Sequence, residues 1–487
     1  MENEDRLSNY GGARAHSGRE PLAGDDAEIG ELLGLAQSLV PRSAEYRKAL
    51  DRLIETTKAE LLRSARAVEA ERISERFGRT LRQLWLEASA FATSSSYRSP
   101  PTSDTTKTTT GRKVDFGYER DLHPVHLEER CKRFFEPPPK GWSADHVLLS
   151  SGQSAMAAIL HAREGSSLFG GERRPSFVHL GSYFETVEIF SLFSSLLAPA
   201  GRGRSAVNDM THLDGDIIIV EPVFCDGDYG VVDIDRLLDV HRREKRARVY
   251  LFDNTLCGTR FALERYLESF ESIEPVAVFR IFSGLKLFQA GLELSSVGIV
   301  NVLTRDGGPI AAREIGDRVR RIRTLLGLGL SFFEVAALEV PWFLDRAHTH
   351  AYERAIFDNN EALARAVAAE NRLFEGTFHP SLLRAPDDVR GAPYCSFRLR
   401  EHDPHLYDAL EQHVHREAER RDLQFELGGS FGFRGHRFEV VRPETGEEPF
   451  LRVALGRRTG WSRDRIIELM ADVARAPTVM QLVSDSD

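Results

Sequence analysis

The strongest constraint on this chain is a rhythm between residues 146 and 302. Six short apolar runs recur there: HVLLS (146–150), SFVHL (176–180), DIIIVEP (216–222), RVYLFDN (248–254), PVAVFRI (275–281) and SVGIVNV (296–302). Each run is too short for a helix, while many of the segments between them are long enough for one. Strands that are apolar on both faces and alternate with helices predict a mostly parallel sheet, covered on both sides. Such a sheet binds ligands beyond the carboxyl ends of its strands. Chemistry is therefore sought in the residues that follow each run.

The flanking regions read differently. Residues 1–27 are polar and rich in Gly, Asp, Glu and Ser, which predicts no fixed structure. Over 28–92, Leu50, Leu53, Ile54, Leu61, Val68, Ile73, Phe77, Leu81 and Leu84 recur mostly at helical steps. That spacing predicts an amphipathic helical hairpin packed on the main body or on a partner subunit. The Thr/Ser-rich tract 93–113 reads as a linker or mobile loop. A large α/β domain is expected over 114–345 and a smaller α+β domain over 346–487.

Charge and cysteine usage narrow the function classes. A net charge of -10 over 487 residues argues against a nucleic-acid binder, which needs clustered positive charge. The longest apolar stretch, Ile189 to Ala200, is too short and too serine-rich to span a bilayer. The four cysteines lie far apart with no metal-ligand spacing, so a reduced, cytoplasmic protein without a metal site is expected.

Three places carry candidate chemistry. Ser150-Ser151-Gly152-Gln153 follows the first run and opens a helix, a geometry that gathers backbone N–H groups for an anion, although many plain turns share it. Asp253 ends the fourth run, where a carboxylate can pair with a cationic ring nitrogen or simply cap a helix. Lys286 follows the fifth run, in VFRIFSGLKLFQAG. Only eight of the 64 basic residues are lysines, and Lys286 is the only one after Lys245, so its appearance among Phe282, Leu285, Leu287 and Phe288 is informative. Apolar surroundings disfavour an ammonium ion and free an amine for Schiff-base formation. Ser283, three residues earlier, is placed to hydrogen-bond a phosphate.

The order of these motifs resembles the fold-type-I pyridoxal 5'-phosphate (PLP) enzymes, and within them the cystathionine γ-synthase-like (Cys/Met metabolism) group, over roughly residues 115–460. Tyr118-Glu119-Arg120-Asp121-Leu122-His123-Pro124 resembles YxRxxNPT, which implies that Tyr118 and Arg120 reach the PLP phosphate of a partner subunit. Ser151-Gly152-Gln153 resembles the phosphate-cradling SSGM turn. Tyr183-Phe184-Glu185-Thr186 resembles YGGT, whose tyrosine stacks on the cofactor ring. Asp253-Asn254-Thr255 is identical to the group's DNT, and Ser283-Gly284-Leu285-Lys286 resembles SxTK. Ser430-Phe431-Gly432 and Leu451-Arg452 resemble the segments that hold a substrate carboxylate. Departures accompany the matches: Leu285 replaces a threonine, Gly291-Leu292-Glu293 lacks a histidine, and Glu221 to Asp226 lacks an asparagine.

The resemblance implies the aspartate aminotransferase-like fold, a homodimer or homotetramer, PLP as cofactor and an amino acid as substrate. Lys286, Asp253 and Tyr183 are the implied catalytic residues. The implied reaction is γ-elimination or replacement, or C–C or C–N bond formation, through a β,γ-unsaturated intermediate, with a second, nucleophilic co-substrate. Diverged relatives in natural-product biosynthesis start from an activated methionine such as S-adenosylmethionine. An aminotransferase or β-lyase would use the same residues, and a catalytically silent interaction protein is the alternative from another class.

Overall fold

The computed structural model describes residues 25–64, 66–162, 175–193, 198–202, 215–224, 230–244, 248–272, 275–384, 386–443 and 448–484. Its centre is a seven-stranded sheet built from β1 (Trp142–Leu149), β2 (Ser176–Leu180), β3 (Ala198–Arg202), β4 (Ile217–Val220), β5 (Val249–Asp253), β6 (Ala277–Ser283) and β7 (Gly298–Arg305), in the order β1-β7-β6-β5-β4-β2-β3. Only β7 runs against the others, pairing antiparallel with both β1 and β6. All six expected runs form strands. Their continuous apolarity follows from burial on both faces, for Ile217–Val220 and Val249–Phe252 are buried throughout. Helices over Gly152–Ala162, Ile234–Glu244 and Ala312–Leu326 connect or cover the strands. Because every strand except β7 points the same way, Leu149, Leu180, Val220, Asp253 and Ser283 all end at one edge.

A second sheet of five strands follows: β8 (Phe374–Phe378), β9 (Cys395–Leu399), β10 (Phe425–Leu427), β11 (His436–Val441) and β12 (Phe450–Ala454), ordered β8-β9-β12-β11-β10. It is antiparallel apart from the β10–β11 pair. The long helix Arg346–Ala369 and the helices Leu406–Arg420 and Trp461–Arg475 pack with it around Leu363, Phe397, Leu410, Leu451 and Leu469.

The N-terminal region departs from expectation in three ways. Residues 1–24 lie outside the described residues, but a helix, α1 (Asp25–Ser38), already covers the end of the segment expected to lack structure. Its Ile29, Leu32, Leu35 and Ala36 form a buried stripe, which outweighs the polar composition around them. Two more helices follow, α2 (Ala44–Arg63) and α3 (Ala67–Thr93), so the expected hairpin is three helices. They share one core with the main body: Leu32, Phe77, Leu81 and Trp85 pack with Phe282, Leu287, Phe288 and Val335.

The Thr/Ser-rich tract 93–113 is not a free linker. Thr106 and Lys107 pair with Val114 and Lys113 in a small antiparallel ladder, and Thr106, Thr108 and Thr109 are buried. Thr109 donates to Ala336 O at 3.1 Å and to Ser89 Oγ at 2.9 Å, while Thr110 donates to Glu339 at 2.6 Å. A hydroxyl satisfied by a protein partner is as well placed inside as out, and this tract becomes a strap across the body.

Candidate active site

At the carboxyl edge of the central sheet lies a cavity of about 410 Å³. Its walls include Gly152, Gln153, Tyr183, Asp253, Thr255, Ser283, Lys286, Ser430 and Arg452, drawn from six separate stretches of sequence. Their convergence follows from topology. Register pairs Asp253 with Ile281 and Ser283 with Gly298, so the ends of β5 and β6 and the start of β7 meet on the cavity floor.

Lys286 sits in the short helical turn Gly284–Leu287 that β6 leads into. Its Nζ donates to Ser430 Oγ and lies 5.4 Å and 5.8 Å from the ring centres of Phe431 and Phe433. Ser430 has a positive φ of 72° and Gly432 one of 85°. A Cβ on Gly432 would come within 2.5 Å of the Lys286 carbonyl oxygen. Glycine there is what lets the small domain's loop lie directly on the lysine turn.

Asp253 is partly exposed to the cavity and otherwise enclosed by the fold. Burial pushes its carboxyl up to about 6, against hydrogen bonds from Thr255 that act to lower it. The Thr255 N–H donates to it at 2.9 Å. No cation pairs with it among the described residues. A carboxylate so placed fits a cationic ring nitrogen, which would restore its charged form.

The anion end is built by the helix Gly152–Ala162, whose Gly152 and Gln153 N–H groups are left without an intrahelical partner by helix geometry. Ser151 caps it, its Oγ accepting from Ser154 N at 3.0 Å, and so does not itself line the cavity. Gly152 approaches Ser283 closely: an added Cβ would stand 3.5 Å from the serine Cβ. Free helix amides, a facing serine, an amine and an unpaired carboxylate match the demands of a phosphorylated pyridine aldehyde, so the residues present fit PLP.

Tyr118 and Arg120 are not brought to this cavity. Both are exposed, with the guanidinium 5.3 Å from the tyrosine ring centre. His123 does not line the cavity either; its Nδ1 pairs with the Arg323 guanidinium at 2.6 Å. Arg452 reaches the cavity but is already paired with Glu439 and lies over the Tyr394 ring.

Two wall residues had been given no role from sequence. Glu221, in the quoted EPVFCD run, is buried and accepts from Ser182 N at 3.0 Å and Tyr183 N at 3.1 Å, with His179 Nε2 at 2.7 Å. It thereby fixes the turn that presents Tyr183. Glu185 accepts from Tyr183 OH at 2.5 Å and from Gln153 Nε2. The available signal was that Glu185 stands at the second glycine of YGGT.

No protein-family model and no curated protein matches the sequence. Solved structures do resemble it. Cystathionine gamma-lyase from yeast is similar at a TM-score of 0.54 and 16% identity, over 82% of this chain and 98% of that one. The metB protein from Corynebacterium glutamicum gives 0.54 and 17%, over 83% and 98%. CalE6, a methionine gamma lyase from Micromonospora echinospora, gives 0.52 and 18%, over 78% and 91%. At such identities the likeness establishes the fold, which is the one the motif order implied. Among the described residues no helix is long and apolar enough to cross a membrane.

Proposed function

We propose that the chain binds PLP through Lys286 and catalyses γ-elimination or γ-replacement on an amino acid. The observation that carries this reading is the meeting of Lys286 and the uncompensated Asp253 in one cavity, beside the free helix amides at Gly152. When bound, PLP supplies an electron sink that makes the substrate Cα–H acidic.

The chain's own residues supply the rest. Asp253 offers a charge to the ring nitrogen, and the Gly152 amides with Ser283 receive the phosphate. Lys286 attaches the cofactor and then, once displaced, moves protons at the substrate carbons. Arg452 and Ser430 stand ready for the substrate carboxylate, with Glu439 as the competitor that a carboxylate must displace or share. Exposed Tyr118 and Arg120 complete the phosphate site of a second copy. The departures at Leu285 and Glu185, and the asparagine missing from Glu221 to Asp226, support a diverged substrate, with an activated methionine as the first candidate.

Borohydride reduction of PLP-loaded protein, followed by peptide mapping, tests the proposal. The pyridoxyl group is expected on Lys286, and Lys286→Arg should lose both the adduct and at least about 10³-fold of turnover on cystathionine or methionine, since guanidinium neither forms an imine nor acts as a base. An adduct on another lysine, or none, overturns it.

A further inference from the structure

Two departures from the motifs meet in space. Gln153 stands where SSGM has methionine and Glu185 where YGGT has glycine. They come from different helices, Gly152–Ala162 and Phe184–Leu192, yet the Gln153 side-chain amide donates to Glu185 Oε2. The same oxygen accepts the phenolic proton of Tyr183 at 2.5 Å. An acidic residue in a helix's first turn ordinarily serves the helix dipole. Glu185 does more than that here, because its side chain reaches the phenol and the amide and lines the cavity shared with Lys286.

We propose that Glu185 is a positioning residue that takes the phenolic proton of Tyr183, so that Tyr183 can accept a proton from the substrate ammonium group. This rests on the PLP reading above. An amino acid arrives as –NH₃⁺, and only the neutral amine carries a lone pair able to bond to carbon. One N–H bond of the ammonium breaks and its proton forms a new O–H bond on Tyr183. The existing Tyr183 O–H bond breaks and its proton passes to Glu185 Oε2. A neutral amine, a neutral phenol and a neutral carboxylic acid result, with no proton released to solvent. Gln153 holds the acceptor oxygen in place throughout. The other charged groups facing this space are Lys286, Asp253, Glu221 and Arg452. Glu221 is occupied by His179 and two backbone amides, Arg452 by Glu439, and Asp253 has its hydrogen bonds from Thr255. Glu185 is the carboxylate in contact with the phenol.

Glu185→Gln separates proton acceptance from geometry, since its amide oxygen still accepts from Tyr183 but cannot take the proton. The test uses the PLP-loaded protein and norleucine, an amino acid with no γ-leaving group, and reads binding rather than turnover. Calorimetry in buffers of different ionisation enthalpy counts released protons. The wild type is expected to release none at neutral pH, and Glu185→Gln about one. Its affinity should then be at least about tenfold weaker at pH 7 and recover about tenfold per pH unit towards the amine's own ionisation range. Glu185→Asp should restore part of the wild-type pH profile. Equal proton counts and parallel profiles in wild type and Glu185→Gln overturn the proposal. A protein that takes up no PLP, or gives no Lys286 adduct, defeats instead the reading on which it rests, so the two failures are distinguishable.

Discussion

Where the N-terminal helices meet the small domain, buried carboxylates are matched by arginines. Arg434 reaches Glu28 at 3.3 Å and Glu31 at 3.1 Å, Arg458 reaches Glu28 at 3.0 Å, and Arg457 reaches Glu31 at 2.6 Å. Burial alone would raise the Glu31 carboxyl, but Arg434 and Arg457 outweigh it and hold the group below its ordinary value. In the cavity the balance is reversed: Asp253 has no such cation, and burial pushes it up to about 6. A charge compensated by the chain itself is an element of structure. A charge left uncompensated at a cavity wall is a request for a ligand.

The largest expected consequence of that contrast lies at the matched end. Arg434→Met leaves Glu28 and Glu31 short of a cation in a largely buried interface, and should destabilise the protein by about 3 kcal/mol in urea titrations. Combining it with Glu31→Gln should recover at least about 1 kcal/mol, the signature of coupled neighbours. Additive losses would mean that the interface is held by apolar packing alone.

At the unmatched end the sign changes. The folded chain binds the Asp253 proton more tightly than the unfolded chain does, since the group rises from 3.8 to about 6 on folding. Its cost is therefore absent below about pH 4, grows as the pH rises and is complete above about pH 6. Asp253→Asn should make the cofactor-free protein more stable at pH 7, on the order of 1 kcal/mol after screening by cavity water, with the two stability curves converging at acid pH. The same variant should bind PLP more weakly. Lower stability at pH 7 together with unchanged PLP affinity would erase the distinction between the two regions.

The smallest effect is expected in the strap, which uses neutral hydrogen bonds. Thr109→Val keeps the shape but strips the partner from the Ala336 carbonyl, at a cost of about 1 kcal/mol. Thermal unfolding would read it as a shift of a few degrees at most.

These contrasts also explain what could be read from the sequence. Six strands were legible because a strand buried on both faces must be apolar throughout. The seventh, Ala198–Arg202, reads APAGR and was missed; it is the last strand of its sheet, and an edge is where proline is tolerated. The reversed direction of β7 was invisible, since burial by two neighbours demands the same residues whichever way the strand runs. The cavity residues Gly152, Gln153, Tyr183, Asp253, Thr255, Ser283, Lys286, Ser430 and Arg452 were named through motif order, which preserves chemistry that single residues do not announce. The strap was misread because composition equates hydroxyls with solvent, whereas Thr109 and Thr110 spend theirs on Ala336 and Glu339. Glu185 and Glu221 were passed over because their meaning lies in pairs, with Gln153 and His179, that only the fold brings together.

The pairing of Glu28 with Arg434 and Arg458 also sets a schedule for the newborn protein. The partners are separated by 406 and 430 positions in the chain. At a synthesis rate of about 5–20 residues per second, α1 leaves the ribosome roughly 20–90 s before its arginines exist. Until Phe357 has been made, its Ile29, Leu32 and Leu35 lack the complete apolar surface against which they finally pack, and its carboxylates wait longer still for their arginines. Chaperone occupancy on stalled nascent chains should therefore persist on this segment until the stretch through Arg458 has emerged, and then fall as those arginines capture α1.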